Sequence, residues 1–218
     1  MILTESADRF VDTFAPEHSE IQAEMAEIAE TEGFPIIGQA AGGVLQLLAA
    51  RGSAQRVFEF GSGFGYSATW FLEGMAPAGE IVLTEIDEDE LMMAEEFLTE
   101  AAFDATIQYE HGDALAIVEQ YEGPFDVVLI DHRKQDYAAA FERIEPKVST
   151  GGVVVADNIM NGPVTHEDIL DGLDRSEPED DIVSGFLTYL DRVRTHPDWE
   201  TIVLPVGNGL VVSVKLPA

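Results

Sequence analysis

The stretch LIDHRKQDY (129–137) ends an apolar run on Asp131 and places Lys134 three positions later. A cation there is conspicuous in a chain with 42 aspartates and glutamates and only three lysines. A second apolar run, GGVVVADN (151–158), ends on Asp157 and Asn158. If the two runs are neighbouring strands they lie about 4.8 Å apart, and three oxygen donors converge at their carboxyl ends. Two carboxylates and an amide suit a hard cation such as Mg²⁺, which takes a few protein oxygens and leaves its other positions to water and substrate. Asp and Asn also end strands simply as turn residues, and spacing alone leaves that alternative open.

A glycine-rich turn lies upstream. EFGSGFGYS (59–67) puts Gly61, Gly63 and Gly65 directly after a predicted strand and at the start of a helix, where backbone turns tightly and a ligand comes close. The dinucleotide fingerprint has its third glycine one place later, at Tyr66 here. Glu85 ends the next strand, in reach of two ribose hydroxyls, and Asp113 in HGDA follows the third, where it can face an adenine amino group. Singly, each acid reads as a helix cap. Together, after three successive strands, they favour an adenosine-containing ligand.

These residues need a scaffold, and the chain alternates accordingly. Helices are expected over 16–32 and 38–50, then RVFEF (56–60), a helix from about 66, EIVLTEID (80–87), a helix over 88–102, TIQYE (106–110), and a short helix from 113. FDVVLID (125–131), a helix over 136–145 and GGVVVADN follow. Short β-branched runs between helical patterns predict a doubly wound α/β fold, Rossmann-like, with a parallel sheet covered on both faces. A helix near 183–195 leads into TIVLPV (201–206), GNG and LVVSVK (210–215), an Asn-Gly hairpin that makes the last strand antiparallel. Between them, 161–181 reads as a long polar surface excursion. One domain is expected over 1–218, with helices in 1–52 and the ligand-binding core in 53–218. Trp70 and Phe71 read as core, EPEDD (177–181) as a solvated loop rather than a Ca²⁺ site, and His18, His111, His166 and His196 lack metal spacing.

The chain has no cysteine, so thiolate metal sites, disulfides and thiol nucleophiles are excluded. No leader-like segment or long apolar run appears, and a cytoplasmic protein without membrane contact is expected. A net charge of −31, spread along the chain, disfavours nucleic acid and suggests a surface adapted to a halophile's molar salt, where the Debye length is about 3 Å. The oligomeric state is not legible, a homodimer being one form left open.

The glycine turn, the two acids and the terminal hairpin resemble the class I S-adenosylmethionine-dependent methyltransferases, whose seven-stranded sheet is mostly parallel with an antiparallel C-terminal strand. The resemblance covers roughly 33–215. It implies that Gly61, Ser62, Gly63 and Tyr66 hold the methionine part of the cofactor and that Ser67, at a helix N-terminus, suits its carboxylate. Glu59, Glu85, Asp113, Asp131 and His132 complete the implied cofactor set. LIDHRKQDY with VVVADNI and GFGYSA is similar, more narrowly, to the Mg²⁺-dependent catechol and caffeoyl-CoA O-methyltransferases. That likeness implies Asp131, Asp157 and Asn158 as ligands of Mg²⁺, Lys134 as general base, and a small catechol-like vicinal hydroxyl as acceptor. Arg133 stands where members often carry an aromatic residue, GQAAGG (38–43) lacks a basic residue found in members, and 161–181 has no clear counterpart.

A phenol of pKa near 10 is ionised about one part in a thousand at pH 7, so forming the nucleophile costs about 4 kcal/mol, within what a divalent cation supplies. Three other readings remain: methyl transfer to another acceptor with the metal site altered or lapsed, a nicotinamide oxidoreductase, and an adenosine-ligand sensor. Tyr66 and the hairpin weigh against the oxidoreductase.

Overall fold

The computed structural model describes residues 3–173 and 180–217. Three helices come first: α1 (Glu5–Thr13), α2 (Glu20–Glu32) and α3 (Gln39–Gly52). The alternating core follows as β1 (Arg56–Phe60), α4 (Tyr66–Gly74), β2 (Gly79–Glu85), α5 (Glu88–Ala101), β3 (Ala105–His111), α6 (Ala114–Ile117), β4 (Phe125–Ile130), α7 (Tyr137–Ile144) and β5 (Val148–Ala156). The chain closes with α8 (His166–Leu173), α9 (Asp181–Thr195), β6 (Trp199–Leu204) and β7 (Leu210–Lys215). The seven strands form one sheet in the order β3-β2-β1-β4-β5-β7-β6. β1 to β5 run parallel, and β7 is antiparallel to both β5 and β6, as the doubly wound reading expects.

Side chains of the central strands alternate between two cores, one on each face, because strand side chains have a period of two. Phe58, Phe60, Val128, Ile130 and Val154 face α6, α7 and α9, meeting Tyr137, Phe141, Phe186 and Tyr189. Val57, Val127, Leu129 and Val155 face the other way, onto Met25, Leu45, Trp70 and Phe71 of α2, α3 and α4. Trp70 and Phe71 are therefore core, as expected. A Cβ at Gly42 would run into the Trp70 indole, so α3 packs this closely on α4 only through a glycine.

Local signals explain several boundaries. Asp87 accepts from the backbone N–H groups of Asp89 and Glu90 and starts α5, and Asp180 does the same for Ile182 and Val183 at α9. Gly33 closes α2 in the left-handed conformation, φ 70°.

Four expectations need correction. A short helix, α1, precedes the first one read. α2 starts four residues later than expected, at Glu20, where Ser19 N–H donates to Gln22 Oε1. The excursion at 161–181 contains α8, and Glu177–Glu179 of the EPEDD run lie outside the described residues. The Asn-Gly turn is wider than a two-residue hairpin: Gly207 and Gly209 take positive φ, and the Asn208 carbonyl accepts from Met160 and Asn161 N–H. Asn208 thus holds the loop after β5 instead of forming the corner. Among the described residues no helix is long and apolar enough to cross a membrane.

Candidate active site

Five parallel strands bring their carboxyl ends to one edge of the sheet, where a cavity of about 560 Å³ opens. This is the crevice that an open α/β sheet offers where its strand order reverses, here between β1 and β4.

The glycine turn forms one wall. Gly61, Gly63 and Gly65 have φ of 81°, 50° and 88°. A Cβ on Gly61 would also stand 2.9 Å from the Asp131 carbonyl oxygen, so only glycine lets this turn lie against the end of β4. Gly61 and Ser62 N–H both donate to the Thr84 carbonyl, and Gly63 N–H donates to Glu85 Oε2 at 2.9 Å. Glu85 Oε1 accepts from Ile86 and Asp87 N–H, so backbone clamps this carboxylate at the cavity wall. Asp113 caps α6 through Leu115 N–H and lies 3.8 Å from Arg133, so it both caps a helix and lines the cavity.

Tyr66 lines the cavity as well, with its hydroxyl hydrogen-bonded to His18 Nε2 at 2.7 Å. The Ser67 hydroxyl is already committed, because it donates to Glu59 Oε1. Glu59 itself is fully buried beneath the turn rather than in the wall. Its Oε2 has no partner, and burial pushes its carboxyl up to about 8 against the opposing Ser67 bond. The implied cofactor contact at Glu59 is therefore indirect in this geometry and passes through Ser67.

The adjoining wall, at the ends of β4 and β5, gathers the chemistry. Asp131 N–H donates to the Phe60 carbonyl and Asp157 N–H to the Ile130 carbonyl, which continues the ladder one residue past each strand and sets both aspartates in one row. Asn158 takes φ of 60°, a left-handed conformation that asparagine tolerates better than most residues, with strain common at functional sites. Lys134 Nζ donates to Asp131 Oδ1 at 2.6 Å, to Tyr137 Oη at 2.8 Å and to Asn158 Oδ1. Asp157 is buried and its Oδ1 has no partner. Burial and the Asp131 charge push its carboxyl well above the usual range. Burial pushes Asp131 up too, and the ammonium of Lys134 works against it.

His132 stacks on Tyr137 with ring centroids 5.7 Å apart and planes 4° from parallel. Both its ring nitrogens are buried without partners. Burial, then the charges of Lys134 and Arg133, lower its pKa to about 4, so the ring is neutral at pH 7.

Whether the donor set fits a cation is answered by its chemistry. Asp131, Asp157 and Asn158 supply oxygen donors only, and the unpartnered Asp157 Oδ1 gives a buried acceptor with nothing else to accept. Among the described residues no group of three or more His, Cys, Asp or Glu side chains could hold a metal ion. Here the third donor is an amide. The structure thus brings together in the walls of one cavity all the candidate cofactor, metal and catalytic residues except Glu59, which lies one layer below.

Sequence reasoning missed Tyr137, although it closes the LIDHRKQDY stretch, and Glu90, which lines the cavity and is pushed up to about 7 by burial and then by Glu85 and Asp87. It also missed the wall made by Phe34–Ile37, Pro163 and Asn208. The readable signal for that wall was an absence of charge.

A family model described as O-methyltransferase matches residues 13–216. The catechol O-methyltransferase of Niastella koreensis is 30% identical over 171 residues, covering 75% of this chain and 77% of that protein. Caffeoyl-CoA O-methyltransferase 2 of Populus trichocarpa is 23% identical over 218 residues, covering 92% of this chain and 84% of its own. Among solved structures, the O-methyltransferase from Bacillus cereus in complex with SAH shares the fold at a TM-score of 0.82 and 23% identity, covering 99% of this chain and 100% of that one. With the family model spanning nearly the whole chain, a glycine turn sharing its cavity with a lysine bonded to Asp131 and Asn158 finds its place: the chain belongs to the O-methyltransferase family.

Proposed function

We propose that the protein is an S-adenosylmethionine-dependent O-methyltransferase that uses Mg²⁺ and methylates one of two vicinal hydroxyls on a small catechol-like molecule. The observation that carries this reading is the cluster of Asp131, Lys134, Asp157 and Asn158, with a buried unpartnered Asp157 oxygen, in the same cavity as the glycine turn. The names of the relatives, catechol and caffeoyl-CoA O-methyltransferases, support the acceptor class.

In this reading Glu85 accepts the ribose hydroxyls with the lone pairs that its backbone bonds leave free, and Asp113 faces the adenine. Gly61, Gly63 and Tyr66 line the methionine portion, and His132 packs against the cofactor. Asp131, Asp157 and Asn158 would hold the cation. Bound Mg²⁺ supplies Lewis acidity that makes a neighbouring hydroxyl easier to ionise. With Asp131, Asp157 and Asn158 as the residues that would hold the cation, Tyr137 Oη is the partner that would remain to the Lys134 amine in the cavity wall. That amine then takes the acceptor's proton as general base. The resulting oxygen anion attacks the sulfonium methyl group in line. As the new C–O bond forms the S–CH3 bond breaks, its electron pair returns to sulfur and S-adenosylhomocysteine leaves. Fixed orientation of donor and acceptor supplies much of the acceleration.

The first test is calorimetric titration with S-adenosylhomocysteine in molar KCl, with NAD⁺ as control. Binding of the first alone is expected, and binding of NAD⁺ instead would sink the donor assignment. A second reading, transfer without metal, draws on the Lys134 contacts, which already balance charge in the cluster. Activity that persists in excess chelator would select it. The acid-rich surface supports a protein that works in concentrated salt.

A further inference from the structure

Three loops meet at the acceptor side of the cavity. They are 34–38, which leads into α3; 158–165, which follows β5; and 205–209, which joins β6 to β7. They are tied together by backbone: Ile159 N–H donates to the Gly209 carbonyl, Met160 and Asn161 N–H donate to the Asn208 carbonyl, and a Cβ on Gly207 would touch Ala41 and the Ile37 carbonyl. Their sequences are FPIIG, NIMNGPVT and PVGNG. Charged residues make up 24% of the chain, yet these three loops contain none. Burial does not explain the gap, since Pro35, Asn161, Gly162, Pro163 and Gly207 are exposed. On a surface where the default exposed residue is an acid, a neutral rim around one opening is a selected feature.

Cations are equally informative. Among the described residues only Arg133 and Lys134 line the cavity, and both are engaged. Arg133 pairs with Asp136 at 3.0 Å and lies 3.8 Å from Asp113, and Lys134 pairs with Asp131. Glu85, Glu90, Asp113, Asp131 and Asp157 line the same space. An acceptor carrying a carboxylate or phosphate would meet a neutral wall, acids beyond it and no free counter-charge.

We propose that the acceptor site selects uncharged vicinal diols and rejects anionic acceptors, coenzyme A esters above all. The inference rests on the methyl-transfer reading and decides between the two acceptor types in the names of the relatives, catechol and caffeoyl-CoA. The residues that set it are the neutral wall positions, Ile36, Pro163 and Asn208 among them.

The experiment compares kcat/KM for catechol, 3,4-dihydroxybenzoate and caffeoyl-CoA in molar KCl with S-adenosylmethionine and Mg²⁺. At that ionic strength the Debye length is about 3 Å, so discrimination reports contacts at the wall rather than the net charge of the protein. The expected order is catechol, then the carboxylate, then the coenzyme A ester, with at least a roughly tenfold drop at the first step. Pro163→Lys is expected to narrow the catechol-to-carboxylate ratio several-fold. A carboxylate or coenzyme A ester used as well as catechol would overturn the inference and leave the methyltransferase reading intact. Retained S-adenosylhomocysteine binding with no diol methylated, or bound calorimetrically, would overturn both.

Discussion

Lys147 donates to the carbonyls of Val118 and Tyr121, Lys215 to those of Glu145 and Val148, and Lys134 to the two strand-end residues of the site. All three lysines of the chain therefore serve internal acceptors, which is why Lys134 was a readable signal in so acidic a sequence. Lys134→Met is expected to lower kcat by about 10² to 10⁴ while S-adenosylhomocysteine affinity stays near wild type, because a general base acts in the reaction rather than in donor binding. Single-turnover assays beside calorimetry check it, and a matched loss of both would show a structural role instead. Asp157→Ala is expected to abolish transfer and Mn²⁺ binding, read by the metal's magnetic resonance signal, with the donor still bound. Glu59 yields a pH prediction. Its folded pKa, about 8, lies above its ordinary 4.5, so its contribution to stability is present below the ordinary value and lost as pH rises through 8. Wild type should lose stability between pH 5 and 8, this group contributing on the order of a few kcal/mol, and Glu59→Gln should flatten that slope in thermal melts. Equal slopes in the two proteins would remove Glu59 from the account.

At the scale of elements, the site was legible wherever chemistry coincides with a strand end. Asp131, Asp157 and Glu85 each sit directly after or at the end of a parallel strand, and apolar runs are easy to see in this sequence. What stayed hidden depends on partners distant in the chain. α8 is short and its exposed Leu170 and Leu173 blur its apolar face, so 161–181 looked like loop. The Asn-Gly pair resembled a tight hairpin because its local signal is strong, yet Asn208 spends its carbonyl on Met160 and Asn161, some 47 residues away for the Asn161 side-chain bond. Glu59 could be read as belonging to the glycine turn, but not that it faces down into the core and speaks to the cavity through Ser67. The turn itself is a contact between elements: β1 and β4 hydrogen-bond up to Asp131, and Gly61 lets the turn close against that carbonyl. Gly61→Ala is expected to destabilise the fold by about 1–3 kcal/mol, from positive φ and the 2.9 Å clash together, and to weaken S-adenosylhomocysteine binding far more than the folding loss explains. Denaturant melts and calorimetry on one preparation separate the two effects, and wild-type binding would show that the turn does not approach the ligand.

Over the whole molecule, charge sets the conditions in which the site can exist. Among the described residues eight acids lie in ion pairs, a small part of the 42 in the chain, so ion pairing offsets little of the negative charge. Exposed pairs such as Arg194 with Asp191 contribute little. Self-repulsion at a net charge of −31 favours expansion, and it reaches across the molecule once the Debye length grows from about 3 Å in molar salt to about 30 Å at 10 mM. The cores on the two faces of the sheet are continuous and fully buried, so repulsion acts against packing that is otherwise ordinary. The active-site wall is the weak point, because its loops join elements through a few backbone hydrogen bonds and the buried Asp157 lies at its base. Lowering KCl from molar to 10 mM is accordingly expected to reduce the melting temperature by on the order of 10 °C, and to loosen loops 158–165 and 205–209 before the central strands. Melting curves across a KCl series, with hydrogen exchange at each salt, test both parts. Sucrose at matched osmolality should not replace the salt if screening is the cause. A melting temperature indifferent to KCl would mean that the acids are tolerated without screening, and would remove the case for a protein built for brine.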